Sequence, residues 1–362
     1  EFQNCTSLVS VDLSKAVNIE EIPPYTFSGC SALEQIVIPS QIKKIGYGAF
    51  SNCTSLKADK VTMSENLQSM AGSVFSGCTS FTELPDLKSM TSIPEYTFSY
   101  CTGLVKVEVP DRIQTIGGQA FYNCTNLEKI TIKGFSIQDC TIESNAFVNT
   151  KWIETYKRKN QPVILNGVLV NGYYVKGNVT LDGKKVKRIL GNSFADNHKI
   201  KKLKVKGVDE IDDYAFVGSS ATEASISGCK KMGMYLFGDC KKLKKLYIEK
   251  IKTIPIFSLA FITGLQKLVL GKDVVKLEEN AIYHCKNIKK IIFGRDVTKL
   301  EENAIYYCPK LTVVRFKTRK TIDWHPYWLG SKEMYPGCGK VKHIYMNRPK
   351  WAPKNPLADW LA

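Results

Sequence analysis

The stretch AFSNCTSL, at residues 49–56, recurs as AFYNCTNL at 120–127 and as VFSGCTSF at 74–81. A catalytic motif is written once in a chain, whereas a phrase repeated at a constant interval is typical of a repeat architecture. Aligned on its aromatic residue, the phrase predicts 13 copies at Phe2, Phe27, Phe50, Phe75, Phe98, Phe121, Phe147, Phe194, Phe216, Phe237, Phe261, Ile282 and Ile305. The period near 23 residues predicts a solenoid whose repeats, here called rungs, bury their apolar faces against each other.

One rung, residues 38–56, shows how the pattern predicts local structure. Gly46 and Gly48 favour a tight turn, and Phe50 follows on a short helical turn where it fills the core. The residue two after the aromatic is Asn, Gly or Asp in nine of 13 copies, which favours a left-handed backbone there. The alternation Ile-x-Ile that ends most rungs predicts a strand with one face inward. We therefore predict a repeat solenoid of about 13 rungs of about 23 residues, with a parallel β-sheet on one face and short strands or helical turns on the other.

Two longer phrases, IPSQIKKIGYGAFSNCTSLK at 38–57 and VPDRIQTIGGQAFYNCTNLEKITI at 109–132, resemble the BspA-type leucine-rich repeat family. This family is common in surface proteins of gut and oral bacteria and in some mucosal protozoa. The resemblance covers about residues 1–316 and weakens after residue 190, where the Ile-Pro endings vanish and Lys replaces Ser and Thr. It implies a leucine-rich-repeat-like fold, a bacterial protein that is secreted or at the cell surface, and an adhesive role.

The spacing of the copies predicts the domain organisation. Residues 1–316 form the solenoid, and the single interval of 47 residues, between Phe147 and Phe194, contains an interruption at about 151–187. Four dipeptides ending in Gly punctuate short apolar runs there, which predicts β-hairpins replacing one rung. The tail, residues 317–362, leaves the period and holds four of the five Trp, so we predict a terminal cap over the last core.

Twelve cysteines raise the question of disulfides. Nine, including Cys5, lie three residues after the repeat aromatic; equivalent residues of adjacent rungs point the same way, whereas a disulfide needs convergent side chains. We therefore predict a structural ladder of buried free thiols, with Cys338 as the most exposed thiol. The eight other ladder positions are Cys30, Cys53, Cys78, Cys101, Cys124, Cys240, Cys285 and Cys308.

Composition and motifs narrow the function class. The chain has 362 residues, of which 44% are hydrophobic, and no apolar run approaches the length of a membrane span. It opens inside the repeated phrase, so we interpret it as a fragment with any targeting signal upstream. No nucleophile elbow, phosphate-binding loop or metalloprotease motif occurs, so we predict no enzyme, no cofactor, no metal and no small-molecule substrate. The paired carboxylates Glu278-Glu279 and Glu301-Glu302 repeat in two similar rungs, which favours a structural role at helix starts.

Charge points to a binding surface. Residues 1–150 carry a net charge of −5, and residues 151–362 carry +22. In the basic half, alternation predicts outward strand positions at Lys202, Lys204, Lys206, Lys245, Tyr247, Lys267, Lys290, Arg315 and Lys317. Such a column can engage a polyanion, or it can merely prevent lateral aggregation of the sheet.

We therefore expect a monomeric, non-enzymatic binding and adhesion solenoid for a host matrix protein, a mucosal glycan or another cell-surface component. Two alternatives stay open. One is a binder of sulfated glycan, teichoic acid or nucleic acid through the basic face, and the other is a structural spacer.

Overall fold

The computed structural model describes residues 2–132, 141–143, 145–329, 338 and 341–346. The chain divides into two compact units, residues 1–166 (unit 1) and 167–362 (unit 2). Each unit is a parallel β-solenoid, and the two units hold about 13 turns in total. The predicted fold class is confirmed.

The described residues of unit 1 form short strands, a 3-10 turn and one α-helix. Its sheets have the orders β1-β3-β5, β8-β10, β2-β4-β6 and β7-β9-β11, and their strand pairs are parallel. The elements are β1 (Ser10–Asp12), β2 (Glu21–Ile22), β3 (Gln35–Val37), β4 (Lys44–Ile45), a 3-10 turn (Ala58–Lys60), β5 (Val61–Thr62), β6 (Ser69–Met70), β7 (Ser92–Ile93), β8 (Lys106–Val109), β9 (Thr115–Ile116), β10 (Lys129–Ile132), β11 (Thr141–Ile142), α1 (Lys151–Lys159) and β12 (Val163–Leu165).

Unit 2 is built around an eight-stranded parallel sheet of order β14-β16-β18-β20-β22-β25-β28-β30. Smaller parallel sheets have the orders β13-β15-β17-β19, β21-β23-β26-β29 and β24-β27. The strands are β13 (Val168–Asn171), β14 (Gly177–Asp182), β15 (Arg188–Ile189), β16 (Ile200–Lys206), β17 (Glu210–Ile211), β18 (Glu223–Ser227), β19 (Lys231–Met232), β20 (Lys245–Glu249), β21 (Thr253–Ile254), β22 (Lys267–Leu270), β23 (Lys276–Leu277), β24 (Ile282–Tyr283), β25 (Lys290–Phe293), β26 (Lys299–Leu300), β27 (Ile305–Tyr306), β28 (Val313–Phe316), β29 (Asp323–Trp324) and β30 (His343–Met346).

The turns of every rung depend on left-handed residues. The position two after the core residue has positive φ in each rung, including Asn52 (58°), where the sequence predicts it, and Tyr100 (60°), where the side chain disfavours it. A second left-handed position, two before the core residue, was not predicted, as at Tyr96 (55°) and Gln119 (55°). Gly46 is required for a different reason, because a Cβ there would lie 2.4 Å from the backbone nitrogen of Pro24.

The repeat aromatics form a stacked column inside each unit. In unit 1, the ring centroids of Phe98 and Phe121 lie 5.5 Å apart, and those of Phe121 and Phe147 lie 5.4 Å apart, with the rings nearly parallel. In unit 2, the rings of Phe216 and Phe237 are 5.1 Å apart. These side chains are fully buried, so each of these rungs contributes one ring to the core.

The predicted core position Phe261 is wrong. Leu259 takes the core position: it is fully buried, and its carbonyl accepts a hydrogen bond from the thiol of Cys285, as the core residue does in other rungs. Phe261 instead takes the left-handed position with φ of 55°, and its side chain is half-buried. The predicted intervals of 24 and 21 residues around Phe261 become 22 and 23 around Leu259, so the regular period carried the correct signal.

The interruption differs from the predicted series of hairpins. Helix α1 occupies its start, with the side chain of Thr150 accepting a hydrogen bond from the backbone of Ile153. Asn166 and Gly167 both have positive φ, as a two-residue hairpin turn requires. The hairpins predicted around Lys176-Gly177 and Asp182-Gly183 are wrong, because β14, the strand between them, pairs with β16 in parallel.

The strand pairing continues beyond residue 316, where the sequence predicted the solenoid to end. Strand β29 pairs with β26, and β30 pairs with β28 in full register. Trp328 is buried, with its ring centroid 5.9 Å from that of Phe316 and stacked at 5.9 Å on Trp324. Trp351 and Trp360 lie outside the described residues, so the capping role of the tail stays a prediction.

Candidate functional site

The outward face of the eight-stranded sheet carries the predicted binding residues. Lys202, Lys204 and Lys206 lie on β16, and their side chains alternate with the buried Leu203 and Val205. Lys245 and Tyr247 lie outward on β20, Lys267 on β22, Lys290 on β25 and Arg315 on β28, and Lys317 follows β28 directly and is exposed. The structure thus gathers eight of the nine residues on one sheet face.

Strand register arranges these residues in columns that cross the strands. The first outward column consists of Asn178, Lys202, Glu223, Lys245, Lys267, Lys290, Val313 and His343. The second outward column consists of Thr180, Lys204, Ser225, Tyr247, Val269, Ile292, Arg315 and Tyr345. The first column is mainly basic, whereas the second mixes cations with aromatic and aliphatic side chains, and Arg315 lies 4.9 Å from the ring centroid of Tyr345.

A third column, here called the leading column, was missed by the sequence reasoning. Its residues immediately precede the first outward column, and a backbone hydrogen bond of 2.9–3.1 Å joins each to the next. Six of the seven side chains are exposed, and that of Thr312 is half-buried. The column runs Lys201, Thr222, Lys244, Gln266, Lys289, Thr312 and Lys342. The paired lysines at the strand starts, as in KKL at 201–203 and KK at 244–245, were the available signal.

Few carboxylates balance these lysines. Within the first outward column, Lys202 lies 3.6 Å from Glu223. Among the residues that the structure describes, no carboxylate forms an ion pair with Lys245, Lys267 or Lys290. The same holds for the four lysines of the leading column. The face therefore presents a dense set of uncompensated cations to solvent.

Unit 1 offers a contrasting surface. Its positions equivalent to the leading column include Glu34 and Lys57, which pair at 3.2 Å, and Glu128, which pairs with Lys151 at 2.5 Å. The sheet of β1, β3 and β5 is not joined by a described strand to the sheet of β8 and β10. The rung between β5 and β8 carries Pro85, which cannot donate a hydrogen bond to the ladder. A cleft of about 720 Å³ lies beside this rung and is lined by Thr82, Glu83, Leu84, Pro85, Asp86, Leu87, Lys88, Lys106, Glu108, Pro110 and Asp111. Its lysines are paired, Lys88 with Asp86 and Lys106 with Glu108.

The cysteines of the predicted ladder lie inside the rungs. The Sγ atoms of Cys53 and Cys124 donate to the carbonyls of Phe27 and Phe98 in the preceding rung, at 3.1 and 3.0 Å. Burial raises the pKa of both thiols to about 12. The same bond is made by Cys30, Cys78, Cys101, Cys240 and Cys285, and Cys308 is buried as well.

Two cysteine predictions are wrong. Cys5, in the first rung of the chain, is exposed. Cys338 is buried, with its Sγ 3.5 Å from the carbonyl oxygen of Ile305. The structural role of the ladder itself stays a prediction.

The duplicated carboxylates connect rungs. Lys276 donates to Glu301 at 2.9 Å and lies 3.4 Å from Glu278, and the bond to Glu301 raises the pKa of Lys276 and lowers that of Glu301. The backbone around them forms short strands and turns, so the predicted interaction with a helix dipole is wrong. A structural role fits the inter-rung ion pairs.

Neither a metal centre nor a membrane span is found in the described part of the chain. There, no group of three or more His, Cys, Asp and Glu residues is placed to hold a metal ion. His284 lies between the rings of Phe261 and Tyr307, at 4.7 and 4.5 Å, and burial lowers the pKa of its imidazole. Within the same residues, no helix is long and apolar enough to cross a membrane.

Comparison with known families agrees with this repeat geometry. The BspA type leucine rich repeat region matches in six copies, over residues 1–101, 57–168 and 178–261. The chain belongs to the BspA-type leucine-rich repeat family. BspA-type repeats are thereby recognised well past residue 190, where the sequence pattern weakens. No curated protein matches the chain.

The chain is also similar to solved structures of bacterial leucine-rich repeat proteins. A leucine-rich repeat protein from Eubacterium ventriosum is 20% identical, with 96% of this chain and 91% of that chain covered and a TM-score of 0.46. One from Bacteroides ovatus is 19% identical, with 89% and 85% covered and a TM-score of 0.39. A leucine rich cell surface protein from Faecalibacterium prausnitzii is 21% identical, with 86% and 79% covered and a TM-score of 0.39.

Proposed function

We propose that this chain is a non-enzymatic binding solenoid that acts at the cell surface or outside the cell. Family membership supports a binding scaffold, and the resemblance to surface proteins of mucosal microbes supports the location. The observation that carries the proposal is the face of the eight-stranded sheet in unit 2, where parallel register aligns outward side chains in straight columns. Many weak contacts along such a face give avidity without a deep pocket.

The partner proposed first is a host matrix protein, a mucosal glycan or another cell-surface component. The second outward column favours protein recognition, because Tyr247, Ile292 and Tyr345 add apolar area between cations. The first outward column favours the second candidate, a polyanion, because Lys245, Lys267 and Lys290 are uncompensated. Affinity for a polyanion falls steeply with salt, whereas recognition through apolar patches does not.

The test measures binding of the whole chain to immobilised matrix proteins, mucins and sulfated glycans at increasing salt. The face variant is Lys202→Gln, Lys245→Gln, Lys267→Gln and Lys290→Gln combined. The control variant combines Lys184→Gln, Lys185→Gln, Lys252→Gln and Lys272→Gln, which removes the same charge from four exposed lysines outside the strands of the large sheet.

The proposal expects at least a tenfold loss of affinity in the face variant and little change in the control. Equal binding by both variants would show that the sheet face is not the site. Binding to none of these components would favour the structural spacer.

A further inference from the structure

We infer that the leading column binds a linear acidic polysaccharide that carries an anionic group on every second sugar. This inference rests on the proposed function, because it assigns the ligand class of the same sheet face. The column alternates strictly, with Lys201, Lys244, Lys289 and Lys342 separated by single neutral residues that form hydrogen bonds. Those neutral residues are Thr222, Gln266 and Thr312.

The alternation sets a charge period of two rungs. Adjacent strands lie about 4.8 Å apart, so successive lysines of the leading column recur about every 10 Å along the direction that crosses the strands. This interval is close to the length of one disaccharide of an extended pyranose chain. A polysaccharide with one charged sugar per disaccharide therefore meets a lysine at each charged sugar.

The intervening residues match the uncharged sugar. Thr222 and Thr312 donate their hydroxyl groups to the carbonyls of Lys201 and Lys289, at 3.1 and 3.2 Å, which fixes these side chains on the face. Their oxygen atoms keep acceptor capacity for sugar hydroxyls, and the exposed amide of Gln266 offers both donors and an acceptor. A neutral sugar with hydroxyl or acetamido groups has complementary chemistry.

Nucleic acid fits the column less well. Phosphates follow each other at about 3.4 Å of axial rise per strand in a duplex, which is far denser than the lysine period. Proteins that bind single strands stack bases on aromatic side chains. The leading column holds no aromatic residue from Lys201 to Lys342, so a sugar chain is favoured.

The equivalent positions of unit 1 lack these properties. There Glu34 pairs with Lys57 and Glu128 pairs with Lys151, so anions occupy the column and neutralise its cations. The alternation of lysine with neutral side chains is thus not a general consequence of the repeat, and it is specific to unit 2.

The test measures the affinity of the whole chain for hyaluronan, which has one carboxylate per disaccharide, and for inorganic polyphosphate and single-stranded DNA. The leading-column variant combines Lys201→Gln, Lys244→Gln, Lys289→Gln and Lys342→Gln. The matched control is again the combined Lys184→Gln, Lys185→Gln, Lys252→Gln and Lys272→Gln variant. A second variant, Thr222→Ala, Gln266→Ala and Thr312→Ala combined, changes no charge.

The inference expects the leading-column variant to lose at least tenfold in affinity for hyaluronan, with the control within about twofold of the unmodified chain. It expects the neutral variant to lose several-fold for hyaluronan and to bind polyphosphate unchanged. Equal losses in the leading-column and control variants, or tighter binding of DNA or polyphosphate than of hyaluronan, would overturn it.

Failure of this inference is distinguishable from failure of the proposed function. If hyaluronan does not bind while a matrix protein still binds and is lost in the face variant, the polysaccharide assignment is overturned and the binding solenoid stands.

Discussion

Phe121 illustrates how a single residue supports the solenoid. Its ring is fully buried and lies between those of Phe98 and Phe147. We expect Phe121→Ala to lower the free energy of unfolding by about 3–5 kcal/mol, because the truncation leaves a cavity that the stacked neighbours only partly fill. Urea denaturation followed by fluorescence and circular dichroism measures this change.

The control for Phe121 is Phe2→Ala. Phe2 stacks on Phe27 at 5.4 Å but is 48% exposed, so its removal costs much less. Similar losses for the two variants would contradict the role of burial in the aromatic column.

Cys5 is predicted to be the reactive thiol of the native protein. It is the exposed cysteine among the eleven that the structure describes, whereas burial holds the pKa of Cys53, Cys124 and Cys240 near 12. At pH 8 the buried groups stay protonated and inaccessible, and the thiolate is the reactive form. We expect titration with a chromogenic disulfide to show one fast thiol among these eleven, abolished by Cys5→Ser.

Unfolding the unreduced protein then releases the remaining thiols. A native protein in which several of the described cysteines react as fast as Cys5 would contradict the buried ladder, and unfolded protein with almost no reactive thiol would indicate disulfides.

At the scale of the rung, the pair Leu259 and Phe261 tests the corrected register. We expect Leu259→Ala to lower the free energy of unfolding by about 2–5 kcal/mol, because Leu259 is fully buried. Phe261→Ala should lower the free energy of unfolding less, because the ring of Phe261 is half-buried. The left-handed backbone at φ of 55° strains Ala and Phe alike, so the substitution changes only the packing of the side chain. A larger loss for Phe261 would restore the sequence-based alignment.

The elements show what the sequence was able to predict. The Ile-x-Ile alternation correctly assigned outward positions such as Lys204 and Lys245, because a strand with one buried face has period two. The leading column escaped prediction because Lys201 and Lys244 lie at the strand starts, where hydrogen bonds to neighbouring rungs set the orientation. Alternation carries no information there.

The interruption shows a competition between local signals. Asn166-Gly167 makes the predicted turn because both residues adopt positive φ. At 151–159 the helix signals prevailed, with Thr150 as the N-cap and Lys157, Arg158 and Lys159 in the last turn. Strand β14 lies between two of the Gly-containing dipeptides, and its parallel partner β16 belongs to the next rung. Pairing of this kind follows from stacking of rungs rather than from turn residues.

For the whole molecule, the central claim is that the outward face of the large sheet in unit 2 is the binding surface. Its cations are clustered in the basic half of the chain, and few carboxylates lie among them. Long-range attraction of an anionic partner to such a face is expected to weaken as salt is raised. Binding should therefore protect a defined subset of lysines rather than all of them.

The most direct measurement is lysine acetylation footprinting by mass spectrometry, on the free chain and on the chain bound to hyaluronan or to a captured matrix protein. The account predicts protection of Lys201, Lys244 and Lys289 in the leading column and of Lys245, Lys267 and Lys290 in the first outward column. Lys184, Lys252 and Lys272 should remain as reactive as in the free chain. Protection centred on these three residues or on unit 1, with the sheet-face lysines unchanged, would contradict it.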